Sequence, residues 1–244
     1  RFVRYDATDW PVPGTSWAPL ALTPGHGLRV GRTRAAAVQS YPALPSSTFS
    51  TDPPNTAIIG GDGPNQLAAV FPPFTETGLS EPAGLTYTSA PLKQAVSAAG
   101  PLDLDVRLST TAPDTAIWAV VADVWPDGSS HPLMAGRLLS DYPRIDRAKS
   151  LFDPATGALV QPYGIYSSAT PAAPGTRRLY HVELWPIGNR FEAGHRIRLE
   201  IVGASAASKP SAPAVDSILV GGRRGARLMF PVLPGSDLGA ALGG

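Results

Sequence analysis

Leu102-Asp-Leu-Asp-Val-Arg-Leu-Ser109 alternates apolar and polar residues without a break. Leu102, Leu104, Val106 and Leu108 fall on one side of an extended chain, and Asp103, Asp105 and Arg107 on the other. A period of two is the signature of a half-buried strand; a helix would scatter the four apolar residues around its circumference. Arg196-Ile-Arg-Leu-Glu-Ile-Val202 repeats the pattern, and Leu179 to Trp185 sets Tyr180, Val182 and Leu184 against His181 and Glu183. No segment of helical length shows a 3.6-residue period. The chain is therefore predicted to be built from strands.

The intervening sequence supplies turns and further strands. Thr115 to Trp125 is almost continuously apolar, as suits a strand covered on both faces. Pro126-Asp127-Gly128 follows, with proline presetting φ and glycine accepting a positive φ. His131 to Leu139 then returns, so the stretch reads as a β-hairpin. Leu85 to Ser89 is a short strand, and Ser217 to Gly221 with Arg227 to Val232 reads as a final antiparallel pair around Gly221-Gly-Arg-Arg-Gly225. Residues 1–84 read as largely irregular or loop-rich, with a hairpin within Gly25 to Ala37 and a loop over Pro42 to Gly63. Residues 141–177 form a long Pro-, Ala- and Ser-rich connection of a length usually tied to function or partial disorder. Short strands among 25 glycines and 27 prolines predict one all-β domain over 1–244, an antiparallel β-sandwich whose core strands span 85–234.

Composition narrows the functions open to such a domain. With 244 residues, 43% of them hydrophobic, the chain can bury a sizeable core. A net charge of +1 and scattered Lys and Arg give no electrostatic case for nucleic acid or an anionic membrane. No apolar run approaches the ~20 residues that span a bilayer. The absence of cysteine excludes disulfides and thiolate chemistry. No signal segment is visible, and a chain that opens with Arg1 reads as one trimmed at a domain boundary.

The search for chemistry returns little. A serine nucleophile on an α/β scaffold needs Gly-x-Ser-x-Gly at a strand-to-helix turn. Gly14-Thr-Ser16-Trp-Ala18 and Gly203-Ala-Ser205-Ala-Ala207 are only partial matches. His26, His131, His181 and His195 show no metal-ligand spacing, and each reads as a surface or strand-end hydrogen-bonding group. Asp103 and Asp105 read as a solvated strand face. Asp52, Asn55, Asp62 and Asn65 are spread through a loop and give only weak support for calcium. Trp118, Trp125 and Trp185 read as core or inter-domain contacts ahead of a sugar platform. No catalytic residue, metal ligand or cofactor is assigned. Asp123, inside an apolar strand, is expensive to bury as an ion unless bonded. It is expected to be a structural buried acid accepting bonds from backbone amides or from Arg137 or Arg196.

Several segments, in order, resemble a known family. They are DATDW at 6–10, DPPNTAIIGG at 52–61, LTYTSAPL at 85–92, PDTAIWAVVADVWPDGSSHPLMAGRL at 113–138, FEAGHRIRLEI at 191–201 and SILVGGRRGARLMFPVLP at 217–234. Together they resemble the C-terminal domain of the cocaine esterase and X-Pro dipeptidyl-peptidase family of serine hydrolases. The resemblance implies a jelly-roll β-sandwich of the galactose-binding-like kind. It also implies a partner, an upstream α/β-hydrolase catalytic domain that carries the whole Ser-Asp-His triad. This chain would be the non-catalytic accessory domain that packs on that partner and shapes access of ester or X-Pro substrates. Phe71 and Phe74 are the residues chosen for the substrate pocket or domain interface, against the alternative that both simply pack in the core. Ala116, Arg223-Arg224-Gly225 and Leu138-Leu139 depart from the family pattern. Two other functions stay open: a stand-alone carbohydrate-binding module, and an autonomous hydrolase with a triad assembled from distant strands.

Overall fold

The alternating segments are strands in a computed structural model that describes Arg4 and residues 6–43, 84–203 and 211–243. In chain order they are β1 (Ser16–Leu22), β2 (Gly27–Val30), β3 (Ala36–Ala43), β4 (Leu85–Ser89), β5 (Val96–Thr110), β6 (Ala116–Val124) and β7 (Ser130–Leu139). There follow β8 (Leu151–Phe152), β9 (Leu159–Gln161), β10 (Arg178–Phe191), β11 (Arg196–Val202), β12 (Ala214–Gly221), β13 (Arg227–Val232) and the short helix α1 (Leu238–Leu242). The all-β expectation holds. The segment before residue 84, which offered mainly turn signals, contributes three strands. Its hairpin forms earlier than expected, between β1 and β2 across Thr23 to His26. β1 (Ser-Trp-Ala-Pro-Leu-Ala-Leu) hides from pattern reading because Pro19 and the small alanines blur its alternation.

Hydrogen bonding links the strands in the order β10-β7-β6-β11-β4-β2-β1-β13-β5, and β5 pairs back to β10, closing a nine-strand ring. Every pairing in it is antiparallel except β2 with β4. β12 and β3 extend the sheet outward from β5. The expected pair of β12 with β13 is not formed. β5 runs between them, taking β13 at Asp103 to Asp105 and β12 at Leu108 to Thr110 on one edge. β5, at 15 residues, is long enough to serve the two partners end to end. The β6–β7 hairpin forms as read, its turn closed by Trp125 N–H to Ser129 O at 2.9 Å.

The interior of the ring is the core. Leu102, Leu104, Val106 and Leu108 of β5 point into it, as do Ile117, Ala119 and Val121 of β6 and Ile197, Leu199 and Ile201 of β11. Phe191 and Phe230 meet edge to face, ring centres 5.7 Å apart, the arrangement that aromatic quadrupoles favour. A bulge between Leu184 and Ile187 of β10 changes the phase of that strand. Tyr180, Val182 and Leu184 are buried before it, and Ile187 and Phe191 after it. One end of the ring is stopped by α1, which buries Leu238 and Ala241. The Asp237 carboxylate caps the helix by accepting from Ala240 N–H at 2.9 Å.

The outer face of β5 is not solvated. Within residues 141–177, β8 and β9 form a small hairpin whose Val160 is fully buried with Trp17 and Met229 in a second apolar cluster. Asp103 and Asp105 retain only 1% and 4% exposure. Burial raises the Asp103 pKa to about 6, against the opposing pull of its bond with His181. Asp105 meets Arg227 at 2.8 Å.

Two features of this frame give expected outcomes. Where β7 crosses β10, Gly136 stands opposite Leu184. A Cβ on Gly136 would collide with the Glu183 carbonyl and lie 2.7 Å from the Leu184 Cα, whereas one on Gly188 would meet nothing. Gly136→Ala should therefore destabilise by about 2 kcal/mol or more in urea unfolding, with Gly188→Ala far milder. Asp216 of β12 is fully buried and accepts from the Thr115 hydroxyl at 2.7 Å. Burial raises its pKa to about 6, so the folded chain holds this proton more tightly than the unfolded one. Its contribution is full below the unfolded value of ~3.9 and is lost as pH rises through about 6, roughly 3 kcal/mol in all. Unfolding free energies from pH 4 to pH 7 should fall by about that much more for the wild type than for Asp216→Asn.

Candidate functional site

The acid of the β6–β7 hairpin, Asp123, lies where the interior of the ring meets its α1 end. The inward row of β6 runs Ile117, Ala119, Val121 and then Asp123, so the strand's own period aims a carboxylate at the core. Asp123 pairs with Ile197 on one side and His131 on the other, and is 5% exposed. His195, two residues before Ile197, faces the same way. Its Nδ1 stands 2.9 and 3.1 Å from the two Asp123 oxygens. Asn189, inward-facing because of the β10 bulge, donates its Nδ2 to Oδ2 at 3.4 Å. Burial raises the Asp123 pKa, and the His195 bond opposes that rise. The arginines expected to satisfy Asp123 do not reach it. Arg196 and Arg137 are opposite Val124 and Trp118, which point outward. Arg196 instead donates to the Ser89 carbonyl at 3.1 Å.

Beyond Asp123 the same end is exposed. Trp125 is 46% exposed and stacks on His131, ring centres 4.2 Å apart, and more loosely on His195 at 5.9 Å. Ser129 Oγ contacts Asp127 Oδ1 at 2.6 Å and His131 Nε2 at 2.8 Å. These three types are those of a hydrolytic triad, but their order differs. A triad needs the imidazole between carboxylate and hydroxyl, so that it can take the proton of the hydroxyl. Here the hydroxyl gives its proton to Asp127, whose pKa this bond lowers, and the serine oxygen accepts from the imidazole. Among the described residues no imidazole bridges a carboxylate and a hydroxyl.

A second histidine–carboxylate pair lies on the outer wall, where His181 Nδ1 meets Asp103 at 2.8 Å. Burial by itself would lower the His181 pKa, but the bond and charge of Asp103 outweigh it and the net shift is upward. Neighbouring Glu183 accepts from Gln161 of β9 at 2.9 Å, which ties the outer hairpin to the ring. Among the described residues no three His, Asp or Glu side chains gather closely enough to hold a metal ion. No described helix is long and apolar enough to cross a membrane. Phe71, Phe74, Ser205 and the loop acids Asp52 and Asp62 lie outside the described residues. Sequence reasoning missed His195 and Asn189 as partners of Asp123. The inward phase of Asn189 follows only from the bulge, while His195 carried a legible signal in its two-residue spacing from Ile197.

The site is therefore an anchored acid beneath an exposed indole, without a nucleophile relay, and its kinship agrees with that chemistry. Residues 4–218 match the family described as the X-Pro dipeptidyl-peptidase C-terminal non-catalytic domain. A Mycobacterium bovis protein named as a serine esterase is 32% identical over 124 residues, covering 50% of this chain and 19% of that protein. The cocaine esterase of a Rhodococcus species is 25% identical over 203 residues, covering 80% of this chain and 31% of the esterase. The crystal structure of an aminopeptidase from a marine sediment thaumarchaeon superposes with a TM-score of 0.74 at 15% identity, over 93% of this chain and 38% of that one. At that identity the likeness is one of fold. The chain thus spans well under half the length of each of these three proteins.

Removing one member of the Asp123 cluster leaves the other buried and unpaired. His195→Ala and Asp123→Ala should each cost about 2–3 kcal/mol in chemical denaturation. The double variant should cost clearly less than their sum. Trp125→Ala, at an exposed position, should change stability by less than about 0.5 kcal/mol.

Proposed function

Since the chain belongs to the family of X-Pro dipeptidyl-peptidase C-terminal non-catalytic domains, we propose that it is the accessory β domain of a serine esterase or peptidase. In this reading it forms one domain over residues 1–244. It packs against an α/β-hydrolase catalytic domain that supplies the whole triad, and it shapes the access of ester or amide substrates to that domain. In the same reading the closed ring of strands corresponds to the jelly-roll sandwich of the galactose-binding-like kind. The match over residues 4–218 carries the proposal. The inverted order of Asp127, Ser129 and His131 supports it, because no described imidazole is set to activate a hydroxyl. Phe71 and Phe74 remain the proposed pocket or interface residues from the N-terminal part. Asp123 is proposed as a structural acid that fixes the end of the ring through His195 and Asn189.

One observation favours a second reading. Trp125 offers a half-bare indole among polar groups, the kind of surface on which a sugar ring stacks. A stand-alone carbohydrate-binding module would use it so, whereas the accessory-domain reading makes it a contact with the catalytic domain.

The two readings separate in one set of measurements. The 244-residue chain alone should hydrolyse p-nitrophenyl esters and Gly-Pro-p-nitroanilide no faster than buffer. Joined to a catalytic domain of the same family, it should raise kcat/KM for one of these substrates, and Trp125→Ala should reduce that gain, by up to roughly 100-fold where substrate positioning is disturbed. Turnover by the isolated chain overturns the proposal. So does saturable, Trp125-dependent binding to a glycan array together with unchanged kinetics of the joined enzyme.

A further inference from the structure

Arginines that are scattered in the sequence converge on one corner of the fold. Residues 10–51 and 217–236 contain no Asp or Glu but carry Arg29, Arg32, Arg34, Arg223, Arg224 and Arg227. The pairing of β3 with β12 brings the two segments together, with Gly221 opposite Ala36. The contact is tight. Gly221 has φ +64, and a Cβ there would collide with the Ala35 carbonyl and lie 2.9 Å from Thr33 Oγ1. Glycine at 221 thus lets the 221–225 loop press against the 32–35 segment and fix its course.

Of the six arginines, Arg227 is engaged with Asp105. Among the described residues, Arg29, Arg32, Arg34, Arg223 and Arg224 form no ion pair, and all five are exposed. In a chain of net charge +1, this is a local excess of positive charge with no acid set against it. Arg29, Arg32 and Arg34 line one open cleft of about 490 Å³ together with Thr23, Pro24, Val30, Thr33 and Ala35. Like charges gathered without carboxylates repel one another, and an anion among them reverses the sign of that interaction. Guanidinium groups offer paired N–H donors that match the oxygens of a phosphate, and threonine hydroxyls add uncharged donors.

We infer that the cleft lined by Arg29, Arg32 and Arg34 binds a small phosphate-bearing anion. The three guanidiniums supply charge and forked donors, Thr23 and Thr33 rim the same space, and Arg223 and Arg224 on the adjoining loop raise the local potential. The site is independent of the hydrolase reading, because no residue of the Asp123 cluster or the Trp125 surface takes part.

Isothermal titration of the full chain at constant ionic strength tests it, with inorganic phosphate, pyrophosphate and glycerol 3-phosphate as separate probes and chloride as the reference. Saturable binding of at least one phosphate species is expected. Arg32→Gln with Arg34→Gln should weaken it at least about tenfold, the scale of a lost charged hydrogen bond. Arg32→Lys with Arg34→Lys, which keep charge but not the fork, should recover only part of the loss, and Arg190→Gln, away from the cleft, should change nothing. All these positions are exposed, and unchanged circular dichroism confirms folding of each variant. Tighter binding of inorganic phosphate than of the ester identifies the free ion, and the reverse identifies a phosphorylated metabolite. No saturable heat with any of the three probes overturns the inference. So does binding that survives the glutamine variants.

Discussion

β5 is the member on which the other strands depend. Its 15 residues accept β10 along one edge, and on the other edge they accept first β13 and then β12. Closure of the ring rests on this, because β10 pairs with β5 through most of its length and its ladder pairing with β7 is at Leu184, opposite Gly136. A shorter β5 would leave either β12 or β13 with an unpaired edge, and open edges invite pairing with other chains. The inner side of β5 is the floor of the core. Its outer side carries Asp103 and Asp105, and both are drawn into ordered contacts because the 141–177 connection folds back over them.

Buried charge is handled in one way at two places and in another way at a third. Asp123 and Asp103 each take an imidazole through Nδ1, at 2.9 and 2.8 Å. Each lies on a wall of the ring, one inward and one outward. In each case the ring nitrogen gives the buried carboxylate the close hydrogen-bonding partner that it would otherwise lack. Asp216 is met by hydroxyls in place of an imidazole, and burial raises its pKa to about 6, as it does that of Asp103. These acids tie strands together; none is set against a polarised hydroxyl. A domain of this construction is suited to holding its surface in a fixed shape. Trp125, half exposed beside the His131 ring at the ring's end, is the most distinctive part of that surface.

The candidate site was half legible. Asp123 was visible as an acid inside an apolar strand, and the hairpin around it was fixed by Pro126-Asp127-Gly128. The partners of Asp123 were not visible, since an arginine anywhere on a neighbouring strand seemed able to reach it. Register decides the matter, because Arg196 and Arg137 lie in the outward phase and His195 and Asn189 in the inward one. The same holds for the corner where Arg29, Arg32 and Arg34 meet the 221–225 loop. Nearly two hundred positions separate the two stretches, and only the pairing of β3 with β12 joins them.

Alternation, apolar runs and turn residues by themselves determined that the chain is all-β and located β4, β6, β7, β11 and β13 to within a residue or so, and where the alternation was clean it named which side chains share a face. That information is local, because the geometry of an extended chain fixes it before any partner is present. What covers each face, and which strand lies beside which, was decided by tertiary structure alone. Asp103 and Asp105 looked solvated until the β8–β9 hairpin closed over them, and β12 looked like the partner of β13 until β5 passed between them. Neither outcome leaves a trace in a strand's own sequence. Hydrogen bonds between backbones are the same whatever the side chains are, so the choice among possible neighbours falls to the packing of the whole core.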